Sequence, residues 1–120
     1  MITDLETIYA YCLDKKGTSG SYPFGEGALV VKVLDKMFAL IVEDANPLVI
    51  KLKCDPEDAQ ALRTQHEAIT PAYHMNKQHW NDLTLDDSLP PELVYELIDH
   101  SYDLVVRKMK KTDRERLRGG

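Results

Sequence analysis

The sequence predicts a two-layer α+β domain, with about five antiparallel strands and three helices in the order α-β-β-β-α-β-β-α. Three observations lead there. A stretch near each end of the chain repeats apolar residues at helical spacing. Several short runs between them alternate apolar and polar side chains, the period of a strand with one covered face. The 120 residues are 43% hydrophobic and 29% charged, enough for one core without metal or disulfide support.

The first helix lies in "TDLETIYAYCLDKKG", where Leu5, Ile8, Tyr9, Cys12 and Leu13 form one stripe. Thr3 or Asp4 serves as its cap, and Lys15, Lys16 and Gly17 stop it. The following "TSGSYPFGEG" reads as a turn-rich loop containing Pro23 and Phe24. Its Gly25-x-Gly27 lacks the third glycine, lysine and helix of a phosphate loop. Next, "ALVVKVLDKMFALIV" is a pair of strands broken at Asp35-Lys36, with Leu29, Val31 and Val33 on one face and Val30 and Lys32 on the other. "LVIKLK" alternates in the same way and places Lys51 and Lys53 opposite its apolar residues.

Asp55, Pro56, Glu57 and Asp58 form a strong helix start for "CDPEDAQALRTQH". Two short strands follow, Ile69 to His74 and Trp80 to Leu85, joined across Met75 to His79. The last helix enters through Pro90-Pro91 and buries Leu93, Val94, Leu97, Ile98, Ser101, Leu104 and Val105. Residues 1–111 make one domain, and 112–120 are expected to be a basic, frayed tail.

Charge is unevenly distributed. Net charge is −5, but residues 107–118 carry seven Lys/Arg against two Asp/Glu, or +5. Residues 1–106 carry eight against eighteen, or −10. A basic tail on an acidic body suits an acidic partner, or simply the negative end of a helix dipole. No apolar run reaches the length of a membrane span, and the start lacks the basic and apolar regions of a signal peptide. Cys12 and Cys54 therefore read as reduced thiols in a cytoplasmic protein. Cys54 precedes a helix whose field lowers a thiol pKa, yet no histidine is placed beside it as a base.

The densest stretch is "YHMNKQHW", Tyr73 to Trp80. His74 and His79, even with Asp82, fall short of the three or four ligands zinc takes, so no metal or other cofactor is expected. The stretch reads instead as a hairpin: Trp80, Tyr73 and His74 are structural, with Lys77, Gln78 and His79 at an open tip. Pro23 and Phe24 are likewise assigned a structural role. No nucleophile elbow, phosphate loop or framed carboxylate pair is present, so the chain is expected not to be an enzyme.

Several separated blocks, "YPFGEGALVVKV", "KMFAL", "LKCDPE", "TPAYHMNKQHW" and "LPPELVYELIDHSYDLV", resemble the MmcQ/YjbR-like family of small bacterial proteins. The resemblance runs from about Tyr22 through the last helix. It departs at the first hairpin turn, where Leu34-Asp35 stands in place of a frequent family glycine. It implies an α+β fold like those of secretion chaperones and frataxin-like proteins. It also implies a DNA-binding role that uses paired hairpins as wings.

The residues for such a role are Lys32, Lys51 and Lys53 on the sheet, Lys77, Gln78 and His79 at the tip, and Arg107, Lys108, Lys110 and Lys111 at the basic end. Lysine meets phosphate and glutamine reads adenine edges. DNA is thus the first partner expected, for a non-enzymatic, monomeric domain that makes no use of a membrane. The alternative is a protein-interaction or chaperone-like module, marked by an exposed apolar or acidic patch.

Overall fold

A computed structural model describes residues 4–72 and 75–119. It is a two-layer α+β structure in which the helices α1 (Leu5–Leu13), α2 (Pro56–Gln65), α3 (Pro91–Arg107) and α4 (Lys111–Gly119) accompany one sheet. The strands are β1 (Thr18–Ser21), β2 (Ala28–Val33), β3 (Lys36–Val42), β4 (Val49–Lys53), β5 (Ile69–Pro71) and β6 (Trp80–Thr84). All pair antiparallel in the order β1-β2-β3-β4-β6-β5.

Alternation decides which side of each strand is covered. Leu29, Ile41, Ile50, Leu83 and Ile69 stand in register across five strands, and all are buried. They pack with Ile8 and Cys12 of α1 and Val94, Ile98 and Val105 of α3 in one core. The opposite row is Val30, Leu40, Lys51, Asp82 and Thr70, of which Val30 and Leu40 are buried as well. Asp4 caps α1 by accepting from the Thr7 amide at 2.8 Å, and the Thr7 hydroxyl first, with this amide second, draws its carboxyl down to about 2. Asp55 caps α2 in the same way, with Pro56 beginning the helix.

Two polar clasps tie α3 to its neighbours. The Asp99 carboxylate accepts from the Tyr11 hydroxyl at 2.8 Å and pairs with Lys15, which lies beside the Tyr11 and Tyr102 rings. Deeper down, fully buried Ser101 donates to the Phe38 carbonyl and accepts from the Lys53 amide at 2.9 Å. Those two backbone groups need a partner because the register of β2 and β3 slips here: Val31 faces Ala39, but Lys32 faces Met37. Phe38 is the bulged residue, and the β3–β4 pairing stops at Ala39 and Leu52.

Two elements depart from the sequence expectation. The first part of the expected loop is the edge strand β1. Its small polar residues have little strand propensity, but they let α1 come close: a Cβ on Gly20 would sit 2.0 Å from the Tyr9 hydroxyl oxygen. The tail expected at 112–120 is largely the fourth helix, and Leu117 of that helix is buried in the core cluster. Gly17, at φ +73°, makes room for it. At the first hairpin turn, Leu34 itself takes φ +55°, and its amide bonds the Gly17 carbonyl at 2.8 Å.

Candidate functional site

Antiparallel pairing sends chemically different connections to the two ends of the sheet. One end carries the β1–β2, β3–β4 and α2–β5 connections and the approach to α3. These segments, 22–27, 43–48, 66–68 and 85–90, contain Glu26, Glu43, Asp44, Glu67, Asp86 and Asp87 and no Lys or Arg. The other end gathers the start of β3, the close of β4, the turn before β6 and the C-terminus of α3. It holds Lys36, Lys53, Lys77, Arg107, Lys108, Lys110 and Lys111, with Asp14, Asp35 and Asp55 in the neighbouring connections.

At this basic end lies a cleft of about 300 Å³ lined by Lys36, Met37, Lys53, Val105, Lys108 and Met109. Val105 and Met109 are buried and form its apolar floor. Lys53 is half-buried; desolvation, reinforced by the neighbouring Lys108 ammonium, holds its pKa below the usual lysine range. Elsewhere Lys15 pairs with Asp99, Lys51 with Asp82 at 2.8 Å, and Arg116 with Asp113 at 3.3 Å. Among the described residues, Lys36, Lys53 and Lys108 have no such carboxylate. Uncompensated cations converging on an apolar floor favour an anion.

The structure brings together only some of the residues picked from sequence. Lys53 and Lys108 share the cleft with Lys36, which sequence had assigned to a turn. Lys32 is the register partner of Met37 and stands next to the cleft. Lys51 does not join it, because β6 sets Asp82 directly opposite and the two form an ion pair within the sheet. The three sheet lysines therefore form no single open patch.

Lys77, Gln78 and His79 do lie in a turn. Asn76 organises it: its side chain accepts from the Gln78 amide at 3.0 Å, and its carbonyl from His79 and Trp80 at 3.1 and 2.9 Å. The His79 carbonyl accepts from the Cys54 amide at 2.7 Å, which sets the turn beside the close of β4 and Lys53. Arg63 of α2 holds it from the other side, donating to the Lys77 carbonyl and, at 2.6 Å, to Asn81. Arg63 was not singled out from sequence; one cation in a polar helix gives no signal of its target. Arg107, Lys110 and Lys111 are exposed around the join of α3 and α4.

Other expectations change. Tyr73 and His74 lie outside the described residues. Trp80 is only half-buried, opposite Lys53 in the ladder. Pro23 and Phe24 sit on an exposed loop at the acidic end, with Phe24 71% exposed, so neither packs in the core. The Cys54 thiol is not activated by its helix. Burial, with Asp58 and Asp55 adding to it, pushes it up to about 11. Among the described residues, no three His, Cys, Asp or Glu side chains converge to hold a metal ion. Among the same described residues, no helix is long and apolar enough to cross a membrane.

Sheet, helices and cleft together define a small two-layer α+β domain with a cationic pocket at one end. The chain belongs to the YjbR family, whose model matches residues 13–104. It is 36% identical over 113 residues to protein YjbR of Escherichia coli (strain K12), covering 94% of this chain and 96% of that one. Protein YyaQ of Bacillus subtilis (strain 168) is 31% identical over 114 residues, 82% of this chain and 95% of its own. The crystal structure of Deinococcus radiodurans protein DR2400, a DUF419 domain, matches with TM-score 0.91 and 38% identity. That match covers 97% of this chain and 88% of the other. A Pseudomonas syringae protein matches at TM-score 0.72 with 29% identity, over 84% of this chain and 97% of its own.

Proposed function

We propose that the protein is a cytoplasmic, non-catalytic DNA-binding domain that meets the phosphate backbone with the basic end of its sheet. The observation that carries the reading is the convergence of Lys36, Lys53 and Lys108 without counter-ions. The turn at 75–79 and the cations of α3 and α4 extend that end. Against a net charge of −5, four connections at the far end carry acids and no Lys or Arg, while Asp14, Asp35 and Asp55 sit among the cations of the basic end. The test is anisotropy of a labelled duplex titrated at rising salt. Each phosphate that a variant no longer neutralises should flatten the log–log salt slope by about 0.9. Lys53→Gln with Lys108→Gln should weaken binding and flatten the slope, whereas Lys51→Gln should leave the slope alone. No binding to the unaltered protein at low salt sinks the proposal.

A protein-interaction module is the second reading. Tyr22, 49% exposed beside Glu26, Glu43 and Asp44, and Phe24, 71% exposed on the same loop, favour it. Phe24→Ser should abolish partner capture under that reading and leave duplex binding intact under the first.

A further inference from the structure

We infer that the lysine cleft is a discrete site for one small amphipathic anion, a phosphate monoester or carboxylate joined to a short aliphatic body. This deepens the preceding reading and rests on the same cleft being anion-selective. Contact with a phosphate backbone needs cations on an open surface; it gives no reason for an apolar floor beneath them. Here Met37, Val105 and Met109 supply that floor, and two of the three are thioethers whose flexible, polarizable side chains adapt to an irregular guest. No aromatic side chain lines the cleft, so it offers no platform for stacking a base. The body it suits is aliphatic. A volume of about 300 Å³ is at the lower limit of small-molecule sites.

The walls come from independent elements and are held in place. Lys36 starts β3, Lys53 closes β4, and Lys108 follows α3. The Lys53 backbone is pinned through its amide to Ser101, and the next amide, of Cys54, is bonded to the His79 carbonyl. Lys53 and exposed Lys108 therefore line one cleft, close enough for the Lys108 charge to act on Lys53, and neither is paired with a carboxylate among the described residues. An anionic head between them relieves that repulsion, with Lys36 at the rim and the tail lying over Met37 and Met109.

The experiment uses the full chain with methyl-labelled methionine and monomeric octyl phosphate as the probe. Inorganic phosphate, octanol and phosphatidylglycerol vesicles serve as comparisons. The expected result is saturable shifts of the Met37 and Met109 methyl signals with octyl phosphate. Affinity should exceed that of inorganic phosphate by roughly tenfold or more, since each buried methylene adds to it. Octanol should not bind. Lys53→Gln with Lys108→Gln, checked for native circular dichroism, should lose the shifts, and Lys51→Gln should retain them.

Equal affinity for phosphate and octyl phosphate overturns the inference, as does binding to vesicles alone with both methyl signals unmoved. A duplex titration on the same samples separates the two readings. Octyl phosphate binding without duplex binding keeps the cleft site and removes the DNA reading. Duplex binding with unmoved methyl signals removes the cleft site and keeps DNA.

Discussion

Replacing Ser101 by Ala should destabilise the protein by about 2–4 kcal/mol, although it deletes a single oxygen. Ser101 is fully buried and serves two backbone groups, the Phe38 carbonyl and the Lys53 amide, where the bulge interrupts the ladder. Alanine leaves both without their partner, and a buried unsatisfied donor or acceptor costs about 1–3 kcal/mol. Simple addition gives about 2–6 kcal/mol, and partial relaxation favours the lower half of that range. Total stability of a domain is only about 5–15 kcal/mol, so the effect is large. At about 3–5 °C per kcal/mol for a chain of this size, Tm should fall by roughly 6–20 °C. Urea denaturation followed by circular dichroism should show a lower midpoint with an unchanged m-value. A change under about 0.5 kcal/mol would refute the reasoning. It would mean that Phe38 and Lys53 close the ladder on each other once the hydroxyl is gone.

Leu117→Ala should cost about 2–3 kcal/mol, because the side chain is buried at the end of the core; thermal melts check it. A neutral result would show that α4 does not dock in solution. Gly20→Ala should destabilise by about 1–3 kcal/mol, measured by the same melts, since its Cβ would lie 2.0 Å from the Tyr9 oxygen. Gly20→Ala combined with Tyr9→Phe should recover part of the loss. Cys12 and Cys54 are pushed up to about 12 and 11, first by burial. Both should resist iodoacetamide at pH 8 until the protein unfolds. Above about pH 9 the unfolded chain releases thiol protons that the native state keeps, so stability should decline as pH rises from 9 toward 12. A Cys12→Ala, Cys54→Ala variant should lose that part of the alkaline decline in urea titrations.

The elements most legible in sequence were those that carry redundant signals. The last helix announces itself with Pro90-Pro91 and an apolar stripe through Val105, and α2 with Asp55-Pro56. Alternation placed Leu29, Val31 and Val33 on the core face, but it left Val30 on the open side, where it is in fact buried. What escaped notice depends on contacts between distant segments. β1 is a strand because β2 pairs with it and Tyr9 lies on Gly20, neither of which "TSGS" reveals. α4 has one anchor, Leu117, among charged residues, which gives no periodic signal. Lys51 looked available because β6 is separated from β4 by α2 and β5; only their pairing brings Asp82 to it. The cleft was half-visible. Lys53 and Lys108 were singled out, but Met37 and Lys36 come with them only through the bulge and hairpin.

The excess of acids at one end of the sheet and of cations at the other makes the molecule an electric dipole as well as a net anion. Its field at long range is that of the −5 charge, repelling other anions; within a Debye length of about 8 Å the nearer end dominates. A charged surface therefore turns the protein before touching it, presenting the lysine end to a polyanion and the Phe24 loop to a polycation. Two copies feel the same torque. Between two copies that torque is opposed by the repulsion of their like net charges, which strengthens as salt is lowered.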